Sequence, residues 1–188
     1  MRQEAGSDVE TLVKFIPKAG DIVDEDLKQK TASVYLALFR EGNWKDITDQ
    51  PATNAVPVSN VDHTNAVVEL CLGVADTLER HHKVKVNRDY LIASAVLHDA
   101  SKLVEYEPAE RGEKRTKLGE LGQHTMRCVS LMLSSGMPLE VVHAVLAHTP
   151  QSAAIPKTVE AIIVYFVDAL DYNVLRVTNG LGPDIMKK

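Results

Sequence analysis

The chain has 188 residues and a formal net charge of -5, with 45% hydrophobic and 5% aromatic residues. That length suits one domain with a real core and leaves two full domains cramped, and the acidic balance argues against binding long nucleic acids, which need a basic face. No run approaches the roughly 20 apolar residues of a membrane span, and the start, Met-Arg-Gln-Glu-Ala-Gly-Ser-Asp, lacks the apolar stretch of a signal peptide, so a cytoplasmic protein without membrane contact is expected.

Few segments alternate in the manner of strands, and Ala, Leu, Val, Glu and Lys dominate, so the expected class is all-α, a single-domain helical bundle. Helical spacing runs over 8–16 and 24–40, the second with Leu27, Val34 and Leu38. The stretch 41–60, with Gly42, Pro51, Asn54, Pro57 and Ser59, reads as a connector. Residues 1–55 are therefore expected to form an N-terminal helical layer and connector packed on the core, ahead of a chemical domain over 56–188.

A helix is expected from His63 to about His82, with Val67, Leu70, Val74 and Leu78 following His63 at spacings of three and four, which puts His63 at the start of the core-facing stripe. Asn87 can cap the next helix, drawn to about Val104, on which Leu91, Ala95, His98 and Lys102 share one side. Residues 105–122 carry nine charged residues named by position as Glu105, Glu107, Glu110, Arg111, Glu113, Lys114, Arg115, Lys117 and Glu120, and read as a long loop, either a lid or solvated surface. Next comes a helix over 123–135 with His124, Cys128 and Leu131 on one side and Gly136 ending it. Pro138 suits the first turn of the following helix, where Val141, Val145 and His148 align, and Pro150 limits it. A last long helix follows Pro156; its run from Ala161 to Leu170 is apolar on nearly every side, which predicts a central buried element.

The chemistry sits where this pattern breaks. His98 and Asp99 interrupt the apolar run Leu91 to Leu97, and burying an imidazole and a carboxylate is expensive unless something satisfies both, as a cation can. His63, His124, His148 and Asp168 each fall on or beside a separate apolar segment, so six candidate ligands arrive from five segments, enough for two metals. Imidazole with carboxylate suits divalent first-row metals, iron or manganese first, with cobalt, nickel and zinc as further candidates. Cys71 and Cys128 lie far apart without zinc-ligand spacing and are expected as core thiols. His81 and His82 look solvated, His143 lies on a different helix side from His148, Asp171 lies one turn beyond Asp168 and could replace or support it, and Asp62 could orient a ligand imidazole.

This set of a His, a His-Asp doublet and a distal Asp on a helical core resembles the HD superfamily of metal-dependent phosphohydrolases, over roughly residues 61–175, with Val-Asp-Ala-Leu-Asp similar to the family's closing helix. The resemblance implies His63, His98 and Asp168 on one metal, His124 and His148 on a second, and Asp99 bridging them. His98-Asp99-Ala100-Ser101-Lys102 is similar to the family's His-Asp-x-Gly-Lys, with Ser101 in place of Gly. The implied activity is hydrolysis of a phosphomonoester or phosphodiester in a nucleotide or small phosphorylated metabolite, by hydroxide shared between the metals, with Asp99 and Lys102 as the catalytic residues and Lys102 contacting phosphate. Arg111, Lys114, Arg115 and Lys117 would add anion contacts if their segment folded over the site. Two other classes share the ligand pattern: mixed-valence di-iron oxygenases on this fold, and a metal-binding regulatory protein without turnover. An uncovered apolar face on the N-terminal helices would point to a homodimer.

Overall fold

The computed structural model describes residues 7–185. Helix α1 (Asp8–Phe15) begins with a capping box, in which the Ser7 hydroxyl accepts from the Glu10 amide and the Glu10 carboxylate accepts from the Ser7 amide. A 3-10 turn (Pro17–Asp21) leads to α2 (Glu25–Glu41), whose N-cap is Asp24. The stretch read as a connector has structure of its own: β1 (Pro51–Thr53) pairs antiparallel with β2 (Val56–Ser59), and Trp44 is buried with its indole N–H donating to the Leu103 carbonyl at 3.1 Å. Strands this short carry too few residues for alternation to be visible.

Helix α3 (Asn60–His82) follows directly, capped by Ser59, and α4 (Arg88–Leu97) is capped by Asn87. The expected continuation of α4 to Val104 does not occur. The chain leaves the helix at His98, turns through Ser101, and restarts as α5 (Lys102–Glu105). Ser101 is fully buried and its hydroxyl accepts from the Cys128 amide at 3.0 Å, so the residue in the usual glycine position ties the turn to the next helix.

The charged stretch 105–122 is not a loop. It forms a hairpin of β3 (Tyr106–Pro108) and β4 (Glu113–Arg115), then a short helix α6 (Lys117–Leu121). Lys114 pairs with Glu107, and the Arg115 guanidinium binds the Gly119 carbonyl and lies over the Tyr106 ring. Those cations are used to hold the hairpin. Asn54 clips the two hairpins together, its side chain donating to the Glu113 carbonyl and accepting from the Glu113 amide.

Helices α7 (Met126–Ser134), α8 (Leu139–Ala147) and α9 (Val159–Thr178, capped by Thr158) complete the chain. One apolar core runs through the molecule, from Leu12, Tyr35 and Leu38 of the first two helices to Leu97, Met132, Val145 and Val164. Helix α4 lies at its centre, every residue from Leu91 to Leu97 being buried against α2, α3, α8 and α9. The expectation that α9 is the central element is corrected: its Ala161, Ile163, Val164 and Val167 are buried, but Phe166 is 65% exposed. Among the described residues, α1 and α2 carry no large exposed apolar residue, so the uncovered face that would point to a homodimer there is not found on them.

Gly42, at the end of α2, lies where a Cβ would come within 2.2 Å of the Leu103 carbonyl oxygen, whereas a Cβ on Gly73, inside α3, meets nothing within 4 Å. Gly42→Ala should therefore lower stability by about 1–3 kcal/mol through overpacking, and Gly73→Ala should raise it by about 0.5–1 kcal/mol through helix propensity. Thermal unfolding followed by circular dichroism checks both, and a Gly42→Ala protein that melts with the wild type contradicts the close α2–α5 contact.

Candidate metal centre

Each polar side chain of the site is delivered by a different structural device. His63 stands in the first turn of α3; His98 and Asp99 occupy the turn where α4 stops; His148 is the C-cap of α8; Asp168 and Asp171 project from one side of α9. His124 does not lie on a helix as expected but just before α7, next to Thr125, whose φ of 71° is left-handed. A β-branched residue in that region is strained, and such strain persists only where the surroundings impose it.

The six residues singled out from the sequence converge. His63, His98, Asp99 and Asp168 each bring one ligand atom within 4.8 Å of the others, and so do Asp99, His124 and His148. Asp99 belongs to both groups. Its Oδ2 lies 3.6 Å from Nε2 of His63 and of His98, while its Oδ1 lies 3.3 Å from Nε2 of His124 and 3.7 Å from Nε2 of His148. Asp168 Oδ1 is 3.2 Å from His63 Nε2 and 3.8 Å from His98 Nε2.

The opposite ring nitrogens explain why the Nε2 atoms face inward. Nδ1 of His98 meets the Ala95 carbonyl at 2.7 Å and Nδ1 of His148 meets the Val145 carbonyl at 2.7 Å. A carbonyl only accepts, so each Nδ1 carries the proton and each neutral ring turns a bare Nε2 lone pair inward. His63 Nδ1 meets the Asp171 carboxylate at 2.7 Å, and His124 Nδ1 meets the Glu105 carboxylate at 2.8 Å. His63 and His98 consequently oppose Nε2 atoms at 3.2 Å. Two lone pairs repel at that distance unless a proton or a cation lies between them.

The electrostatics follow from this crowding. Burial pushes the His63 imidazole down, but its bonds to Asp168 and Asp171 and the charge of Asp99 outweigh that and raise it to about 9. His124 is likewise lowered by burial and raised further by Asp99 and Glu105, to about 9. His98 has no carboxylate bonded to it, and burial holds it down at about 4. Burial opposes charge on Asp99, yet the Lys102 ammonium, together with the bond from His124, keeps its carboxyl well below the ordinary range. The Lys102 ammonium donates to Asp99 Oδ2 at 2.7 Å and to the Ala52 carbonyl of β1 at 2.8 Å, which leaves one of its three N–H groups.

The donor set fits divalent cations. Bonds of about 2.1 Å place neighbouring ligand atoms roughly 3.0–3.4 Å apart in tetrahedral or octahedral geometry, close to the separations found here. No cysteine competes, since Cys71 and Cys128 are buried free thiols. The side chains of His124 and Asp168, 26% and 18% exposed, mark where the cluster meets solvent, whereas those of His63, His98, His148 and Asp99 are at most 5% exposed.

Some residues weighed from the sequence fall elsewhere. Asp62 accepts from the Ser59 hydroxyl at the start of α3 and does not touch an imidazole; Asp171 holds His63 instead. His143 accepts from the Lys157 amide, and His81 and His82 are exposed. Sequence reasoning does not single out Glu105, which it groups with the charges of a loop. Glu105 is 7% exposed, and its two oxygens accept from His124 Nδ1 and from the Thr125 amide at 3.0 Å. The signal was its position, three residues after Lys102 at the end of the apolar pair Leu103-Val104.

Residues 60–173 match the HD domain family. The chain is also 35% identical over 113 residues to a dihydroneopterin 2',3'-cyclic phosphate phosphodiesterase of Methanocaldococcus jannaschii; the matched stretch is 59% of this chain and 45% of that protein, so the chain spans under half of the relative's length. No solved structure matches the chain significantly.

Glu105 fixes both the His124 ring and the strained backbone beside it. Glu105→Ala should weaken binding of Mn²⁺ on the His124 side by about 10- to 100-fold, the usual effect of losing a residue that orients a ligand, with Glu105→Gln in between and uptake on the His63 side unchanged. Calorimetric titration of chelator-treated protein measures this; two equal wild-type affinities in Glu105→Ala contradict it.

Proposed function

The chain belongs to the HD domain family, and from that premise we propose that it is a metal-dependent phosphohydrolase acting on a small phosphoester, with a 2',3'-cyclic phosphodiester of a nucleoside-like compound as the favoured substrate class. The observation that carries this reading is Asp99, which turns one carboxylate oxygen toward His63 and His98 and the other toward His124 and His148. In the proposed assignment His63, His98 and Asp168 would hold one divalent transition metal and His124 and His148 a second, with Asp99 serving both and iron or manganese as the favoured metals. The name of the relative supports a cyclic phosphodiester over a monoester.

Two such cations supply, when bound, a water-derived nucleophile at neutral pH and charge neutralisation for the phosphate. The chain's own residues do the rest. Asp171, Glu105 and the carbonyls of Ala95 and Val145 hold the four imidazoles by Nδ1, so that no ring must rotate to accept a cation. Ala52 and Asp99 hold the Lys102 ammonium beside the carboxylate, and its third N–H is the donor proposed to take a phosphate oxygen. The exposed edge at His124 and Asp168 is the proposed entry for substrate, while the apolar surroundings of His98 exclude water from the inner side.

Asp99→Ala should abolish binding of the metal pair and lower kcat/KM by more than about 10³-fold, over about 4 kcal/mol of transition-state stabilisation. Lys102→Ala should keep the metals and lose about 10²- to 10³-fold in kcat. The assay is a panel of 2',3'-cyclic phosphates, linear diesters and monoesters with Mn²⁺, Fe²⁺ or Co²⁺, with oxygen uptake recorded in parallel. Full activity in metal-bearing Asp99→Ala, or substrate-dependent oxygen uptake without ester cleavage, contradicts the reading.

A further inference from the structure

Helix α9 carries the metal-site acids on one side and a bare apolar row on the other. From Ile162 to Val177 its exposed residues are Ile162, Phe166, Leu170, Val174 and Val177, at 44%, 65%, 53%, 51% and 55% exposure, and no charged residue stands among them. An apolar helix face belongs in an interior, and this chain leaves the outer one of α9 uncovered. The row is about 22 Å long at 1.5 Å per residue.

We propose that this row is the interface of a homodimer, in which α9 packs against α9 of a second copy about a two-fold axis. Area argues for it. Five such side chains offer on the order of 100 Å² each, about 500 Å² of apolar surface; with apolar atoms supplying about two-thirds of a homodimer interface, the whole contact approaches the roughly 800 Å² that each partner gives to a stable complex. Shape argues for a second copy specifically. Ile162, Phe166, Leu170 and Val174 follow at intervals of four, the ridge type that interdigitates with its own kind when two helices cross at about -50°. A self-complementary row needs no charge to set its register, and this one has none.

The inference is independent of the metal chemistry, although Asp168 and Asp171 lie on the same helix and would be braced by the contact. Sedimentation equilibrium of the full chain should give twice the 20.7 kDa chain mass. Phe166→Glu/Leu170→Glu should give the monomer mass with an unchanged helical signal, and Leu139→Glu, an exposed apolar site on α8, should remain dimeric. A gentler probe is Leu170→Cys, which should cross-link pairs of chains under mild oxidation where Leu139→Cys does not, the native thiols being buried. A wild type that is monomeric at about 100 μM, a dimer that survives the double substitution, or Leu170→Cys that stays uncross-linked overturns the proposal, and a monomer would assign the row to a different partner.

Discussion

The carboxylate of Asp99 governs the arrangement of this protein. It is a buried anion, 4% exposed as a residue, with an imidazole pair against each of its oxygens and one ammonium against Oδ2. A buried anion is tolerated only with partners that carry charge or hydrogen-bond donors. Two of the four rings, His98 and His148, offer it a lone pair, because their protons are committed to backbone carbonyls on the far side. Cations reconcile those facing acceptors, and the proposed function is the consequence of that reconciliation.

Much of the fold serves to aim these groups. The break between α4 and α5 turns His98 and Asp99 off a helix that would otherwise send them in divergent directions, and Ser101 secures the break by accepting from the Cys128 amide. Glu105 then ends α5 pointing back at His124 and at the left-handed Thr125. The glycines at 42 and 119 let backbone approach this segment closely from two sides, with Cβ positions 2.2 and 2.1 Å from the carbonyl oxygens of Leu103 and Glu105. The scaffold around the doublet is therefore held by backbone contacts that tolerate little displacement.

What the sequence disclosed and what it hid divide along physical lines. The helix capped by Asn87 is legible because a cap signal is local, whereas the row drawn after His63 is corrected: Leu70 is 39% exposed, and the buried side of α3 runs through Val67, Cys71 and Ala75. The six polar residues are legible because His98 and Asp99 interrupt an apolar run and the other four fall on or beside separate apolar segments. The stop at His98 was not, since Lys102 falls in helical phase with His98 whether or not the helix continues. Nor was the hairpin at 106–115, whose pairing depends on contacts between Glu107 and Lys114 and across to Asn54 that periodicity does not encode. Glu105 looked like its charged neighbours, and only the position of His124 in space distinguishes it. The burial of α9 is overestimated for a related reason: an apolar run shows which residues are hydrophobic, not which of its sides the rest of this chain reaches.

The most direct measurement is anomalous X-ray diffraction from crystals soaked in Mn²⁺. The account predicts two peaks roughly 3.5–4 Å apart, one within bonding reach of His63, His98 and Asp168 and the other of His124 and His148, with Asp99 between them. Peaks absent from this cluster, or a single ion with Asp99 turned wholly toward Lys102, would contradict it.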